Sequence, residues 1–177
     1  MRATLYGARK RIKMKKVIVI GCPGSGKSHF SRELHKRTGI PLYHLDMMYW
    51  NADKTTVSKE EFLFRLEEVL KTDEWIMDGN FSSTLEQRVG ACNVIFFLDY
   101  PVDVCLDGVK ARRGKKREDI PWIETEEDAE FTEYIKSFRD NRRPEIISLL
   151  ERCPDKKVFI FKSRAEADAF LEEHDEA

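Results

Sequence analysis

Lys27 and Ser28 close a glycine-rich run, Gly21-Cys22-Pro23-Gly24-Ser25-Gly26-Lys27-Ser28, whose residue types and spacing suit the capture of a polyphosphate. Glycine lets the backbone curl around an anion without Cβ clashes, so that successive N–H groups and a helix N-terminus point at one ligand. The pattern G-x-x-x-x-G-K-[ST], known as Walker A, assigns nucleotide binding to Gly21, Pro23, Gly24, Ser25, Gly26, Lys27 and Ser28, with His29 directly behind. Lys27 would neutralise the β- and γ-phosphates, and the Ser28 hydroxyl would ligate Mg²⁺. ATP and Mg²⁺ are the cofactors this chemistry calls for.

Phosphoryl transfer needs more than a cradle: a carboxylate near the metal, cations for the charge that spreads in the transition state, and a positioned acceptor. Asp78 ends an apolar run and is the preferred metal carboxylate, because Asp78-Gly-Asn is followed by a helix that carries Arg88. Asp99 has the same local signal, but before Pro101 it also fits an N-cap or turn. Two cationic clusters, Lys110 to Arg117 and Arg139 to Arg143, flank an irregular segment and suit a lid, with Arg112 and Arg139 as its catalytic arginines. Arg88 could reach an acceptor phosphate. Asp46 discriminates between acceptors: a phosphate is already ionised and needs no base, whereas a hydroxyl needs a carboxylate to receive its proton. Acceptor binding is accordingly placed on Asp46, Asp78 and Arg88. His29, His35 and His44 are read as packed or exposed rather than catalytic, and Tyr49 and Trp50 as core or as stacking residues of the acceptor pocket.

The elements that would position these residues alternate between strand and helix. Val17 to Ile20 is an apolar strand, Lys27 to Arg37 a helix stopped at Thr38-Gly39, and Pro41 to Asp46 a second strand. Ser58 with Glu61 opens a capping box for a helix to about Lys71, and Glu74 to Gly79 is the third strand. Ser83 with Glu86 opens another capping box. Asn93 to Asp99 is a strand, Pro101 starts a helix over Val102 to Arg113, and a long helix approaches Pro144, with a further short one to about Arg152. Lys157 to Phe161 is the last strand, and Ser163 with Glu166 caps the last helix. This order predicts an α/β, three-layer fold with a five-stranded parallel sheet. The acceptor-binding segment falls at about 47–72 and the lid at about 114–138.

The 177 residues suit one domain, and 41% hydrophobic with 36% charged content suits a soluble globular protein. A net charge of −1 does not advertise a sequence-independent grip on DNA, which leaves DNA as a weakly supported partner beside the nucleotide and a small-molecule acceptor. Cys22, Cys92, Cys105 and Cys153 lack metal-ligand spacing and read as reduced thiols of a cytoplasmic protein. No apolar run approaches the roughly 20 residues that span a bilayer, and oligomeric state leaves no mark. Residues 1–13 carry Arg2, Arg9, Lys10, Arg11 and Lys13 without an acidic residue. They read as a disordered basic extension ahead of Met14, and 14–177 as the folded unit.

From Met14 onward the chain resembles the adenylate-kinase-like group of P-loop kinases, through the Gly21–Ser28 loop, Trp75-Ile-Met-Asp-Gly79, Val94-Ile-Phe-Phe-Leu-Asp-Tyr-Pro101 and Lys110-Ala-Arg-Arg113. Within that group it is most similar to bacterial DNA topology modulation proteins (FlaR-related), through Pro41 to Asp46, Trp75 to Asn80 and Arg139 to Pro144. The resemblance implies a nucleoside-monophosphate-kinase-like fold with Gly24 to Ser28 on the ATP phosphates, Asp78 near Mg²⁺, Arg112 and Arg139 as lid arginines, and the loop after the last strand beside adenine. Two departures matter. Adenylate kinases follow the third strand with Asp-Gly-Phe-Pro-Arg, where this chain has Asp78-Gly-Asn-Phe-Ser82, and Gly108 stands where they place an arginine over adenine. The expectation is therefore ATP-dependent phosphoryl transfer to a nucleotide or another small acceptor. The alternatives are a hydroxyl-acceptor kinase of shikimate or gluconate type with Asp46 as base, and a nucleotide-regulated DNA-binding protein.

Overall fold

The computed structural model describes residues 12–174. Twelve elements follow in chain order: β1 Lys16–Gly21, α1 Lys27–Thr38, β2 Leu42–His44, α2 Leu45–Tyr49, α3 Lys59–Leu70, β3 Trp75–Asp78, α4 Ser82–Ala91, β4 Val94–Leu98, α5 Val102–Arg112, α6 Ala129–Glu151, β5 Lys157–Phe161 and α7 Arg164–Glu173. All five strands are parallel, in the order β2-β3-β1-β4-β5. Central strands of such a sheet are apolar throughout because both faces are covered, and Val17 to Ile20 and Val94 to Phe97 are fully buried. α1 packs on α7 and α5 on α6. The three-layer α/β architecture expected from the alternation of elements is the one observed.

The sheet positions the site through register. β1 pairs with β3 so that Val19 stands beside Asp78, and β2 pairs with β3 so that His44 stands beside Asp78. Strand ends β1, β2 and β3 therefore present Gly21, His44 and Asp78 at one edge, where open α/β sheets bind ligands. α1 is fixed immediately behind by Phe30, whose ring lies 4.9 Å from Phe96 and 5.8 Å from Phe161. It ends at Gly39, which takes φ +71° and donates its N–H to His35 O.

Three local expectations are corrected. β2 stops at His44, because Leu45 turns fully into the core and opens the short helix α2, so Asp46 lies on a helical first turn and not at a strand end. α4 begins at Ser82 with Phe81 as its N-cap at φ +30°; Ser83 does not cap it. α6 runs unbroken through Pro144: Ile135 and Phe138 before it and Ile146, Leu149 and Leu150 after it are all buried, and this packing outweighs the one helical bond the proline removes. Of the N-terminal extension read at 1–13, residues 1–11 lie outside the described residues. Ile12 packs partly on the core and Lys13 O accepts from Asn93 Nδ2 at 2.7 Å.

Candidate active site

A cleft of about 1700 Å³ opens over the C-terminal edge of β1 and β3, and it gathers Pro23, Gly24, Ser25, Gly26, Lys27, Ser28 and His29 with Asp46, Asp78 and Arg112. Gly21 lies behind this lining, where it anchors the loop. Its N–H donates to Asn80 Oδ1 (3.1 Å) and its carbonyl accepts from Asn80 Nδ2 (2.8 Å) and from Lys27 Nζ (3.0 Å). Gly24 is pressed against α5: a methyl there would stand 2.0 Å from Cys105 O, and one at Gly108 would stand 2.1 Å from Gly24 O. The loop thus rests on Asn80 on one side and on two apposed glycines on the other.

The loop fits a polyphosphate. Gly24 and Gly26 take φ +84° and +93°, and a methyl at Gly26 would meet only open space. Ser25 Oγ is buried without a hydrogen-bond partner, a polar group of the kind that an anion satisfies. Lys27 Nζ also donates to Cys22 O (3.1 Å), which holds the ammonium over the loop. Burial draws its pKa below the ordinary value, with Asp78, Cys22 and Asp46 opposing.

The wall of the cleft facing the loop is built from carboxylates and rings. Burial pushes the Asp46 carboxyl up to about 6, with Asp78 adding and Lys27 opposing. Asp78 is almost wholly buried, and its Oδ2 is hydrogen-bonded to His44 Nδ1 at 2.8 Å. Tyr49 stands edge-on to Trp50 (5.1 Å) and to Phe81 (5.1 Å), and Trp50 meets Trp122 at 5.5 Å. The last contact ties the end of α2 to residues 113–128.

That segment reaches the loop itself. Ser28 Oγ donates to Asp119 Oδ2 at 2.7 Å. Burial would raise the Asp119 carboxyl, but the Arg117 guanidinium and the Ser28 hydroxyl outweigh it and hold it at about 2. Arg117 also donates to Glu124 (2.7 Å), which accepts from Arg112 Nη2 (3.0 Å). Arg113 lies 3.7 Å from Glu127. Every arginine of the Lys110 to Arg117 cluster therefore faces an acidic partner, while Lys110, Lys115 and Lys116 are exposed.

Comparison with solved structures places this arrangement. The chain is similar to shikimate kinase from Acinetobacter baumannii in complex with shikimate (14% identity, 91% of this chain and 90% of that one, TM-score 0.58). It is similar to shikimate kinase from Bacteroides thetaiotaomicron (17%, 90% and 95%, TM-score 0.57) and to a gluconokinase from Sinorhizobium meliloti 1021 (12%, 93% and 91%, TM-score 0.59). The fold is that of the P-loop kinases. At such identities the likeness concerns the fold alone. No protein-family model matches the chain, and no curated protein sequence matches it; the narrower likeness to DNA topology modulation proteins rests on the motifs only.

Within this P-loop fold two sequence-derived site residues fall elsewhere. Arg88 is fully buried and donates to Gly79 O (3.0 Å), Asn80 O, Phe81 O (3.1 Å) and Thr84 Oγ1 (3.2 Å). Its fork is spent on backbone, so it is no acceptor ligand; burial pulls its guanidinium down to about 10. Arg139 is exposed on α6 and borders a small separate recess with Asp99 and Arg143, because the unbroken helix buries Phe138 and turns its neighbour outward. Asp99 pairs with Arg143 Nε (2.8 Å) and with Lys162, away from the cleft lining.

Asn80, Asp119 and Arg164 were given no role by sequence, His44 was read as packed or exposed, and Arg117 was named only as one member of the lid cluster. Arg164, Ala167 and Asp168 line the far end of the cleft beside Gly108, after β5. The abrupt change from bases to acids at Arg117-Glu118-Asp119 is the one local signal that a charged, weakly patterned segment concealed. Among the described residues, Cys22, Cys92 and Cys105 are buried free thiols and Cys153 a half-buried one, and no helix is long and apolar enough to cross a membrane.

Proposed function

We propose that the protein is an ATP-dependent kinase that phosphorylates a hydroxyl group of a small molecule, with Asp46 as proton acceptor. The observation that carries this is the Asp46 carboxyl, half-buried in the same cleft as Lys27 and Ser28 and raised to about 6. A general base works best when its pKa lies near the operating pH. The withdrawal of Arg88 into the core weighs in the same direction, since an acceptor phosphate loses the guanidinium assigned to it.

Bound ATP and Mg²⁺ supply the transferable phosphoryl group and neutralise its oxygens. Gly24 to Ser28 would hold the phosphates, Ser28 the metal, and Asp78, fixed by His44, the metal's water shell. Lys27 and Arg112 face the charge that spreads over the transferring group. Asp46 takes the proton that the acceptor hydroxyl loses as its oxygen bonds to the γ-phosphorus and the bond to ADP breaks. Tyr49, Trp50, Phe81 and Trp122 wall the acceptor and exclude water. Removing the base tests the role: Asp46→Ala should lower acceptor-dependent turnover by about 10²- to 10⁴-fold, and unchanged turnover would exclude it.

A further inference from the structure

The kinase reading assigns Ser28 to Mg²⁺ and uses nothing from residues 113–128 at the metal, yet the side chain that touches Ser28 Oγ comes from that segment. We propose that Asp119 is a metal ligand, delivered by residues 113–128 onto the same cation as Ser28; the proposal rests on the kinase reading above.

Three observations carry it. Asp119 Oδ2 lies 2.7 Å from Ser28 Oγ. Two oxygens sharing an edge of an octahedral Mg²⁺ shell, with bonds of about 2.0–2.1 Å, stand about 2.9 Å apart, so a cation can be taken up by both with a shift of a few tenths of an ångström. Asp119 is only 4% exposed, and Arg117 holds both of its oxygens, Nε donating to Oδ1 at 3.0 Å and Nη2 to Oδ2, which orients the carboxylate with Oδ2 against the loop hydroxyl. Finally, Asp46 and Asp78 line the same cleft as Ser28 and Asp119, so that further carboxylates stand ready for the water shell of a divalent cation. Among the described residues no three of His, Cys, Asp and Glu converge as a cage. Mg²⁺ does not require one, since it is commonly held by one or two carboxylates with phosphate oxygens and water.

The test reads Mn²⁺ by electron paramagnetic resonance, with a non-hydrolysable ATP analogue, and compares it with binding of a fluorescent ATP analogue in EDTA. Asp119→Asn should weaken Mn²⁺ in the ternary complex about 10- to 100-fold while metal-free nucleotide affinity changes less than about twofold; Asp119→Glu should recover part of the loss. Arg117→Met, which leaves the carboxylate in place, should keep or raise Mn²⁺ affinity, and this holds the question open to refutation if Asp119→Asn fails to fold. Mn²⁺ affinity within twofold of wild type in Asp119→Asn, or equal losses with and without metal, overturns the assignment while leaving the kinase reading intact. Failure of the wild-type chain to bind either nucleotide overturns both.

Discussion

The side-chain amide of Asn80 pairs with both backbone groups of Gly21, accepting from its N–H at 3.1 Å and donating to its carbonyl at 2.8 Å. This two-point bond fixes the start of the phosphate loop to the end of β3, and thereby fixes the loop relative to Asp78. Asn80→Ala leaves a carbonyl and an N–H of Gly21 without that partner. A stability loss of about 1–3 kcal/mol is expected, together with a nucleotide Kd raised about tenfold as the cradle loosens. Urea unfolding and nucleotide titration of the same variant check the two effects.

Arg88 serves this bond from behind, with three carbonyls of residues 79–81 on its guanidinium. Arg88→Met should cost about 3 kcal/mol or more, because buried carbonyls lose a charged donor. The loss should appear as a lower denaturation midpoint. An acceptor-binding arginine would instead leave the midpoint alone and raise the acceptor KM.

Gly108 lies within α5, where alanine ordinarily stabilises by about 1 kcal/mol over glycine. Here the methyl would meet Gly24 O at 2.1 Å. Gly108→Ala should therefore destabilise and weaken nucleotide binding, while Gly90→Ala in α4, whose methyl meets nothing within 4 Å, should not. Melting temperatures of the two variants with and without nucleotide separate the local clash from the helix preference.

Asp46 links activity to pH and to stability with opposite signs. Its carboxylate is the active form, so turnover should rise through about pH 6 and level off above it. Its pKa is raised on folding from an unfolded value near 3.9, so between about pH 4 and 6 the folded state binds more protons and stability falls as pH rises. A shift from 3.8 to about 6 bounds this cost at about 3 kcal/mol. Asp46→Asn should gain part of that stability at pH 7.5 and little at pH 4 by calorimetry, while losing turnover.

Much of this site was legible in residue order. The glycine spacing before Lys27, the apolar run ending in Asp78 and the alternation of strand and helix are local signals, and each names an element that the sheet then aligns. What was hidden depends on partners distant in sequence. Arg88 looks like a surface cation on a helix until the carbonyls of residues 79–81 curl beneath it, and Arg139 looks like a lid residue until α6 runs straight past Pro144. Asp119 is 91 residues from Ser28, and no periodicity links them. Asn80 was visible only as a departure from Asp-Gly-Phe-Pro-Arg, and its bond to Gly21 belongs to tertiary structure.

The central claim is transfer of the terminal phosphoryl group of ATP to a hydroxyl. It is met most directly by incubating the protein with Mg²⁺-ATP and, in separate sets, sugar acids, polyols, nucleosides and nucleoside monophosphates, and following both ADP release and the product by ³¹P NMR. The expected result is a new phosphate monoester, formed with one of the hydroxyl acceptors and lost in Asp46→Asn. Nucleoside diphosphates arising from the monophosphate set, with Asp46→Asn still active, would contradict it.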